Sequence, residues 1–157
     1  EIDSLSLAAR EKSLRGVFER DIEQNKHFTF NAKAIHPTPK EDGEDKMQLL
    51  FRHLTTEVVN KETNHREFER NRSIRLHWIK PHLEKSIKDD LLIFSVIEPK
   101  GNRTYIYNRI EKYVVILEPL RTGNDYYLLT HYPVRGKDAQ RNKFEKKYKK
   151  YRLPEVL

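Results

Sequence analysis

The stretch Asp125-Tyr126-Tyr127-Leu128-Leu129-Thr130-His131-Tyr132-Pro133-Val134 predicts the β-strand around which the rest of the chain is organised. Aromatic and aliphatic residues dominate it after a turn at residues 122–125, which is typical of a strand. Because strand side chains alternate between faces, one face is predicted to carry Tyr126, Leu128, Thr130 and Tyr132, and the other Tyr127, Leu129 and His131. A hydroxyl between two phenols, beside an imidazole, is unusual for a purely structural strand. This strand is therefore the first candidate for a functional surface.

Three further strand-like segments precede it, at residues 91–98, 103–110 and 113–120. The connections between them are short, so consecutive strands are expected to pair antiparallel as a meander. Residues 113–117 are almost continuously apolar, which suits a central strand that is covered on at least one face. A four-stranded antiparallel sheet is the predicted centre of the fold.

Helical patterns flank these strands on both sides. Residues 5–24 have roughly helical spacing of apolar groups, whereas residues 25–45 contain Pro37, Pro39 and Gly43 and are interpreted as a loop or linker. Asp45 then precedes the clearest amphipathic stripe, formed by Met47, Leu50, Phe51, Leu54 and Val58. The second half of the chain carries two more helical patterns. The first has an apolar face of Ile74, Trp78 and Ile79 and is disturbed by Pro81. The second is a basic helix at 139–152 with an aromatic stripe of Phe144, Tyr148 and Tyr151.

The predicted fold class is α+β, with N-terminal helices, a four-stranded antiparallel meander and a C-terminal basic helix. Residues 1–64 are predicted to be a helical N-terminal extension and residues 65–157 the domain that carries the function. Because the first residue is Glu, we expect the natural protein to be longer and the domain to be delivered as part of it.

Positive charge is concentrated in the second part of the chain. Residues 1–64 contain 10 basic and 12 acidic side chains, and residues 65–157 contain 21 and 12, so the net charges are −2 and +9. This asymmetry favours a polyanionic partner for the C-terminal part. A solubility surface with a basic tail is the simpler alternative.

Several classes of function are excluded or disfavoured by what the sequence lacks. There is no cysteine, so thiol catalysis and zinc–thiolate sites are impossible. The sequence has no Gly-rich phosphate loop, no G-x-S-x-G elbow and no H-E-x-x-H spacing. No apolar run approaches the roughly 20 residues of a membrane span. We therefore expect a protein without cofactor, metal or membrane anchor that acts in the cytoplasm.

The remaining polar residues suit the cleavage of RNA without a metal. In that reaction the ribose 2′-hydroxyl attacks its own phosphorus, and the protein must move two protons and stabilise the added charge. His65 or His77 could transfer protons, with Tyr132 beside Thr130. Three nearby guanidiniums, those of Arg70, Arg72 and Arg75, repel one another unless an anion is close. The structural alternatives are an ordinary strand threonine at 130 and salt bridges from Arg72 and Arg75 to Glu67, Glu69 or Glu84.

Four segments together resemble the phage-associated branch of the Barnase–EndoU–colicin–RelE-like nuclease superfamily. They are Arg72-x-x-Arg75-Leu76-x-Trp78-Ile79-x-x-x-Leu83, Arg103-x-Tyr105-Ile106-Tyr107, Tyr113-Val114-Val115-Ile116-Leu117 and Tyr126-Tyr127-Leu128-Leu129-Thr130-x-Tyr132. The similarity covers residues 65–153. One departure is His131, which stands where the family usually has alanine; it adds a proton-transfer group or points into the opposite face of the sheet.

The resemblance implies a metal-independent endoribonuclease of toxins or phage proteins, with Arg75, assisted by Arg72, as phosphate stabiliser and Thr130 as the strand hydroxyl. RNA, with tRNA among the candidates, is the expected substrate, and an acidic immunity or antitoxin protein is an expected partner. The residues expected to bind nucleic acid are Arg70, Arg72, Lys80, Lys143, Lys147 and Lys150. Two alternatives remain open: a non-catalytic module that binds nucleic acid or protein, and an effector that binds host factors through its N-terminal part.

Overall fold

Helices and strands are mixed along the described residues 5–39, 45–87 and 90–157 of the computed structural model. The helices are α1 (Leu7–Phe18, continued by a π-helical turn at Glu19–Glu23), α2 (Lys46–Thr55), α3 (Arg70–Ser73), α4 (Ile79–Leu83, preceded by a 3₁₀ turn at Leu76–Trp78), α5 (Gly136–Gln140) and α6 (Lys143–Tyr151). The strands are β1 (Thr29–Phe30), β2 (Lys33–His36), β3 (Thr56–Asn60), β4 (His65–Phe68), β5 (Leu91–Glu98), β6 (Gly101–Asn108), β7 (Tyr113–Pro119) and β8 (Asp125–Pro133). The protein is α+β.

The main sheet has six strands in the order β1-β2-β8-β7-β6-β5. β5, β6, β7 and β8 pair antiparallel with their neighbours, and β2 pairs parallel with the first residues of β8. The prediction of a four-stranded sheet was therefore wrong in strand number. A separate two-stranded hairpin is formed by β3 and β4.

The extra strands come from the segment at 25–45 that was predicted to be a loop, and that prediction was wrong for β1 and β2. Asn31 and Ala32, at φ 50° and 61°, form the two-residue turn between these strands. A turn with two positive φ values matches the twist of a hairpin, but it usually contains glycine. With alanine in the second position, the sequence lacks the usual hairpin signal. Residues 40–44 of the same segment lie outside the described residues.

The sheet is covered on both faces. The N-terminal helices and the segment at 70–83 pack on one face, and α6 packs on the other. On the helical face the core includes Phe18, Leu54, Ile79, Ile106, Val115 and Leu128. On the α6 face it includes Phe94, Tyr105, Tyr107, Val114 and Phe144. We refer below to the helical face and the α6 face of the sheet.

The predicted boundary between residues 64 and 65 lies in the turn of the β3–β4 hairpin. Side chains from both sides of this boundary share one core, since Phe18 and Leu54 pack in the same cluster as Ile106 and Val115. The N-terminal part therefore supplies strands as well as helices to the sheet and its cover.

The amphipathic helix predicted after Asp45 is confirmed as α2. Leu50, Phe51 and Leu54 are buried, whereas Val58 belongs to β3 and is exposed, so its inclusion in the stripe was wrong. The C-terminal pattern also divides: Asn142, at φ 52°, separates α5 from α6. Phe144 is buried and Tyr148 packs against the core, but Tyr151 is 64% exposed and does not dock.

Replacement of Asp45 by alanine should destabilise the protein by about 1 kcal/mol, the usual value of an N-cap. The Asp45 carboxylate accepts hydrogen bonds from the backbone N–H groups of Met47 (2.9 Å) and Gln48 (3.3 Å) at the start of α2. Urea unfolding of the two proteins would measure the difference, and Asp45→Asn, which retains the acceptor, should recover most of it.

Candidate functional site

A β-bulge in β8 decides which side chains face each side of the sheet. Ile116 of β7 is opposite Thr130, but the next residue, Leu117, is opposite Leu128, so Leu129 is an additional residue without a partner on β7. Thr130 and Tyr132 consequently lie on the α6 face, while Leu128 lies in the core of the helical face. The predicted common face for Tyr126, Leu128, Thr130 and Tyr132 was therefore wrong.

His131 is turned by the same bulge into the helical face, where it is fully buried. Its Nε2 is 2.8 Å from the Leu54 carbonyl oxygen and its Nδ1 is 2.8 Å from the Tyr113 hydroxyl. Because a carbonyl can only accept, Nε2–H donates to Leu54, and Nδ1 accepts from the Tyr113 O–H. His131 thus connects β8 with α2 and β7 as a neutral imidazole.

The electrostatic surroundings of His131 keep it neutral. Burial lowers its pKa to about 3, and the positive charges of Arg72 and Arg75 add to this effect, although the hydrogen bond to Leu54 opposes it. Of the two possibilities left open for this residue, the structure shows the second: it points away from the face that carries Thr130.

On the α6 face, Thr130 lines a cleft of about 390 Å³. The other lining residues are Glu98, Pro99, Lys100, Arg103, Tyr105, Ile116 and Leu129. They come from β5, β6, β7, β8 and the turn between β5 and β6, so the twisted sheet itself forms the base of the cleft. A carboxylate, a guanidinium, a phenol and a hydroxyl therefore face one concave surface.

Glu98 is the centre of the polar contacts in this cleft. Its Oε1 accepts hydrogen bonds from the Tyr105 hydroxyl (2.8 Å) and from the Lys147 ammonium of α6. Burial alone would raise the pKa of Glu98, but the hydrogen bonds from Lys147 and Tyr105 and the nearby cations outweigh it and leave this pKa below its usual value. Glu98 is therefore a carboxylate at neutral pH and can accept a proton.

The two tyrosines of this face are held in their protonated form. Burial and the contact with Glu98 raise the pKa of Tyr105 far above its usual value. Burial, followed by the charge of Asp138, raises the pKa of Tyr132 to about 12. Both phenols are therefore hydrogen-bond donors at physiological pH.

Arg103 contributes a guanidinium to the cleft, which Lys100 also lines. Its Nη1 donates to the Asn102 carbonyl oxygen (2.9 Å) and lies 3.3 Å from Glu118 Oε1. Gly101, at φ +127°, allows this approach, since a Cβ on it would lie 3.3 Å from the same nitrogen. Arg103 is thus held at Nη1 by Asn102 and Glu118 and lines the cleft.

Of the arginines predicted from the sequence, neither Arg72 nor Arg75 lines the cleft. Arg72 Nη1 donates to the carbonyl oxygens of His53 and Thr56, each at 2.9 Å, and so caps the end of α2. Arg75 Nη1 donates to the Asn71 carbonyl oxygen (2.7 Å), and its guanidinium stacks on Trp78 at 5.1 Å. Among the described residues, neither side chain forms the salt bridge to Glu67, Glu69 or Glu84 considered as the alternative; the Glu69 carboxylate accepts instead from the backbone N–H of Arg72, at 2.7 Å.

The predicted histidines are also distant from this cleft. His65 is exposed on β4, where its Nε2 is 3.4 Å from Glu67 Oε1. His77 is exposed at the 3₁₀ turn and lies beside a small pocket that Ser13 and Leu14 of α1 help to form. Thr130 and Tyr132 are therefore the predicted catalytic residues that the structure places on the α6 face.

The residues predicted to bind nucleic acid lie in two groups. Lys143, Lys147 and Lys150 belong to α6; Lys147 pairs with Glu98, Lys143 lies 3.4 Å from Asp138, and Lys150 is exposed. Arg70, Arg72 and Lys80 belong to the segment at 70–83 that packs on the helical face, where Lys80 pairs with Glu84 at 3.0 Å.

Glu98, Arg103 and Tyr105 were not nominated as catalytic residues from the sequence. Arg103 and Tyr105 alternate along one strand and so must share a face, which was a usable signal. Glu98 joins them only because β5 and β6 pair in the observed register, with Glu98 opposite Gly101.

Within residues 5–39, 45–87 and 90–157, no cluster of three or more histidine, aspartate and glutamate side chains could hold a metal ion. The helices in the same parts of the chain are too short or too polar to cross a bilayer. Comparison with protein-family models, with curated proteins and with solved structures finds no match to this chain.

Proposed function

We propose that the protein is a metal-independent endoribonuclease that cleaves RNA by attack of the ribose 2′-hydroxyl, and that the reaction occurs in the cleft on the α6 face. The observation that carries the proposal is the convergence of Glu98, Arg103, Tyr105 and Thr130 on that cleft. These side chains are of the types that such a reaction needs: a base, a cation and neutral hydrogen-bond donors.

Each residue has one role in this proposal. Glu98 takes the proton of the 2′-hydroxyl as the new 2′-oxygen–phosphorus bond forms. Arg103 and the Thr130 hydroxyl stabilise the negative charge on the non-bridging oxygens. The Tyr105 hydroxyl, which donates to Glu98, positions that carboxylate. Tyr132, which follows Thr130 on the same face of β8 just beyond the residues that line the cleft, gives its proton to the 5′-oxygen as that bond to phosphorus breaks. The products are a 2′,3′-cyclic phosphate and a free 5′-hydroxyl.

The resemblance to Barnase–EndoU–colicin–RelE-like nucleases supports the proposal through its late strand, which contributes Thr130. Within it, the arginine role passes from Arg75 to Arg103, because Arg103 shares the cleft with Thr130. We also propose a toxin- or phage-associated protein that acts on cytoplasmic RNA and is neutralised by an acidic partner. The net charge of +9 on residues 65–157 supports both the RNA substrate and the acidic partner.

One observation favours the alternative of a non-catalytic module that binds nucleic acid. Lys147 reaches from α6 to Glu98, so the proposed base is already paired with a cation. In a pure binding module this pair would simply fix α6, and the exposed lysines of that helix would hold phosphates.

Incubation of the purified protein with total RNA in EDTA distinguishes the two functions. We expect cleavage that produces 2′,3′-cyclic phosphate ends, that does not occur on 2′-O-methyl RNA, and that is strongly reduced by Glu98→Gln and Thr130→Val. Thr29→Val, which makes the same change at an exposed position of β1, serves as the matched control. RNA that stays intact but is retarded on a gel, with less retardation as salt rises, would leave only the binding module.

A further inference from the structure

A second polar cleft, of about 650 Å³, lies at the β3–β4 hairpin. Arg52 near the end of α2 and the hairpin residues Thr63, Asn64, His65 and Arg66 line it. Two guanidiniums therefore face the same space, and no carboxylate is among the described residues that line it. An opening of this kind suits an anion.

Arg66 is held rigidly in this cleft. Its Nε donates to Thr56 Oγ1 and its Nη2 to the Thr56 carbonyl oxygen, both at 2.8 Å. Burial lowers the pKa of Arg66, and the positive charges of Arg72 and Arg52 lower it further, although the negative charge of Glu57 opposes this effect. The hydrogen bonds to Thr56 fix the position of this charge without neutralising it.

Arg52 differs from Arg66 because it is exposed. Its guanidinium has no hydrogen bond or ion pair with any residue in the described part of the chain. A fixed cation and a free one beside it form a pair that a phosphate can bridge, since arginine binds phosphate oxygens through parallel N–H donors.

A continuous series of contacts connects this second cleft with the cleft on the α6 face. Tyr132 follows Thr130 on the same face of β8, and the guanidinium of Arg72 lies 5.9 Å from the Tyr132 ring. Arg72 and Arg66 both donate to the Thr56 carbonyl oxygen, at 2.9 and 2.8 Å. Within the described residues, β2 pairs with β8 only at residues 125–127, so this path crosses the edge of β8 beyond the last β2 pair.

We infer that Arg52 and Arg66 form a second phosphate-binding site, which holds the backbone of a single-stranded RNA several nucleotides from the bond that is cleaved. The inference rests on the proposed function for the identity of its ligand. RNA bound at the cleft would pass Tyr132 and Arg72 at the edge of β8 and reach Arg52 and Arg66. Substrates long enough to occupy both sites would bind more tightly than short ones.

The test measures binding separately from cleavage, with fluorescently labelled 2′-O-methyl RNA that cannot undergo attack by the 2′-hydroxyl. A dinucleotide is compared with an oligonucleotide of about ten nucleotides, within the range of roughly 4–16 that single-stranded sites occupy. The variant is Arg52→Ala, because Arg66 and Arg72 also hold the end of α2 and their loss could unfold it. Lys26→Ala, which removes the same charge from an exposed position after the π-helical turn, is the matched control.

We expect Arg52→Ala to weaken binding of the long oligonucleotide roughly 5- to 10-fold at low salt and to leave the dinucleotide unaffected. The slope of log affinity against log salt should become shallower by about 0.7, the loss of one phosphate contact on a single strand. Arg52→Lys should recover part of the affinity. Equal binding by Arg52→Ala and Lys26→Ala at both lengths would overturn the inference.

Failure of the proposed function has a different signature. It would appear as absence of cleavage of unmodified RNA by the wild-type protein. The length-dependent effect of Arg52→Ala on 2′-O-methyl RNA would still report whether the second phosphate site exists.

Discussion

Replacement of Arg103 by alanine should slow RNA cleavage by about 10²- to 10³-fold, the usual effect of removing one preorganised group that stabilises charge in a transition state. Arg103 is the guanidinium in the cleft that contains Thr130, and its contact with Glu118 Oε1 at 3.3 Å holds it in place. The measurement is the rate of cleavage of a defined RNA in EDTA, with saturating protein. The effect should appear in the rate constant and much less in the affinity for 2′-O-methyl RNA.

Arg75→Ala is the matched comparison, because the resemblance described in the sequence analysis implies the same role for Arg75. The Arg75 guanidinium donates to the Asn71 carbonyl and stacks on Trp78, so it acts on the conformation of the segment before β5. We expect this variant to lose stability in thermal unfolding and to retain most of its activity below its transition. Full activity in Arg103→Ala, together with an inactive but folded Arg75→Ala, would show that the cleft on the α6 face is not the catalytic site. Arg103→Lys should be intermediate, since lysine retains the charge without the planar pair of donors.

Acidification should destabilise the protein through His131. The pKa of this residue is about 3 in the folded state against an ordinary value of 6.5 when unfolded. Between these values the unfolded chain binds more protons, so the free energy of unfolding falls as the pH decreases through this range. His131 alone is expected to lower the free energy of unfolding by about 2 kcal/mol at about pH 5 relative to neutral pH. Urea unfolding at a series of pH values measures it.

His131→Gln isolates this contribution. A glutamine amide can donate to the Leu54 carbonyl and accept from the Tyr113 hydroxyl, and it stays uncharged at every pH. The variant should be less stable than the wild type at neutral pH because its packing differs. The difference in free energy of unfolding between the two proteins should decrease as the pH falls toward about 5, because only the wild type loses the contribution of His131. His27→Gln makes the same chemical change on an exposed side chain and should leave the wild-type pH dependence intact. If the difference in free energy of unfolding between wild type and His131→Gln stays constant from neutral pH to about pH 5, His131 takes up a proton in the folded protein as readily as in the unfolded chain, and the prediction is wrong.

Much of the local structure follows from short-range patterns in the sequence. The alternation of aromatic and aliphatic residues between positions 91 and 134 predicted strands where β5 to β8 lie. Asp45 and the apolar spacing after it predicted α2, because an N-cap and a 3.6-residue stripe depend only on neighbouring residues. The hairpin of β1 and β2 was missed because its turn uses Asn31 and Ala32 in place of a glycine-containing pair.

The candidate site depended on how the strands pair, which short-range sequence patterns do not reveal. Thr130 and Tyr132 were selected correctly as a pair that shares a face, yet the companions expected for them, Arg75 and a histidine, lie elsewhere. A single additional residue, Leu129, reverses the faces of everything that follows it in β8, since strand side chains repeat with a period of two. Whether a strand contains a bulge depends on its pairing partner and cannot be read from the strand itself.

By itself, the sequence determined that the protein is α+β, that its positive charge is concentrated after residue 64, and that Arg103 and Tyr105 share a face of one strand. These properties depend on composition and on residues close together in the chain. Only the tertiary structure decided that Glu98, Arg103 and Thr130 meet in one cleft, that His131 is a buried neutral imidazole hydrogen-bonded to Leu54, and that β2 extends the sheet beside β8. Those arrangements depend on strand register and on contacts between segments that are distant in the sequence. Such contacts become favourable only when the whole core packs, because closing the long loops between them costs conformational entropy.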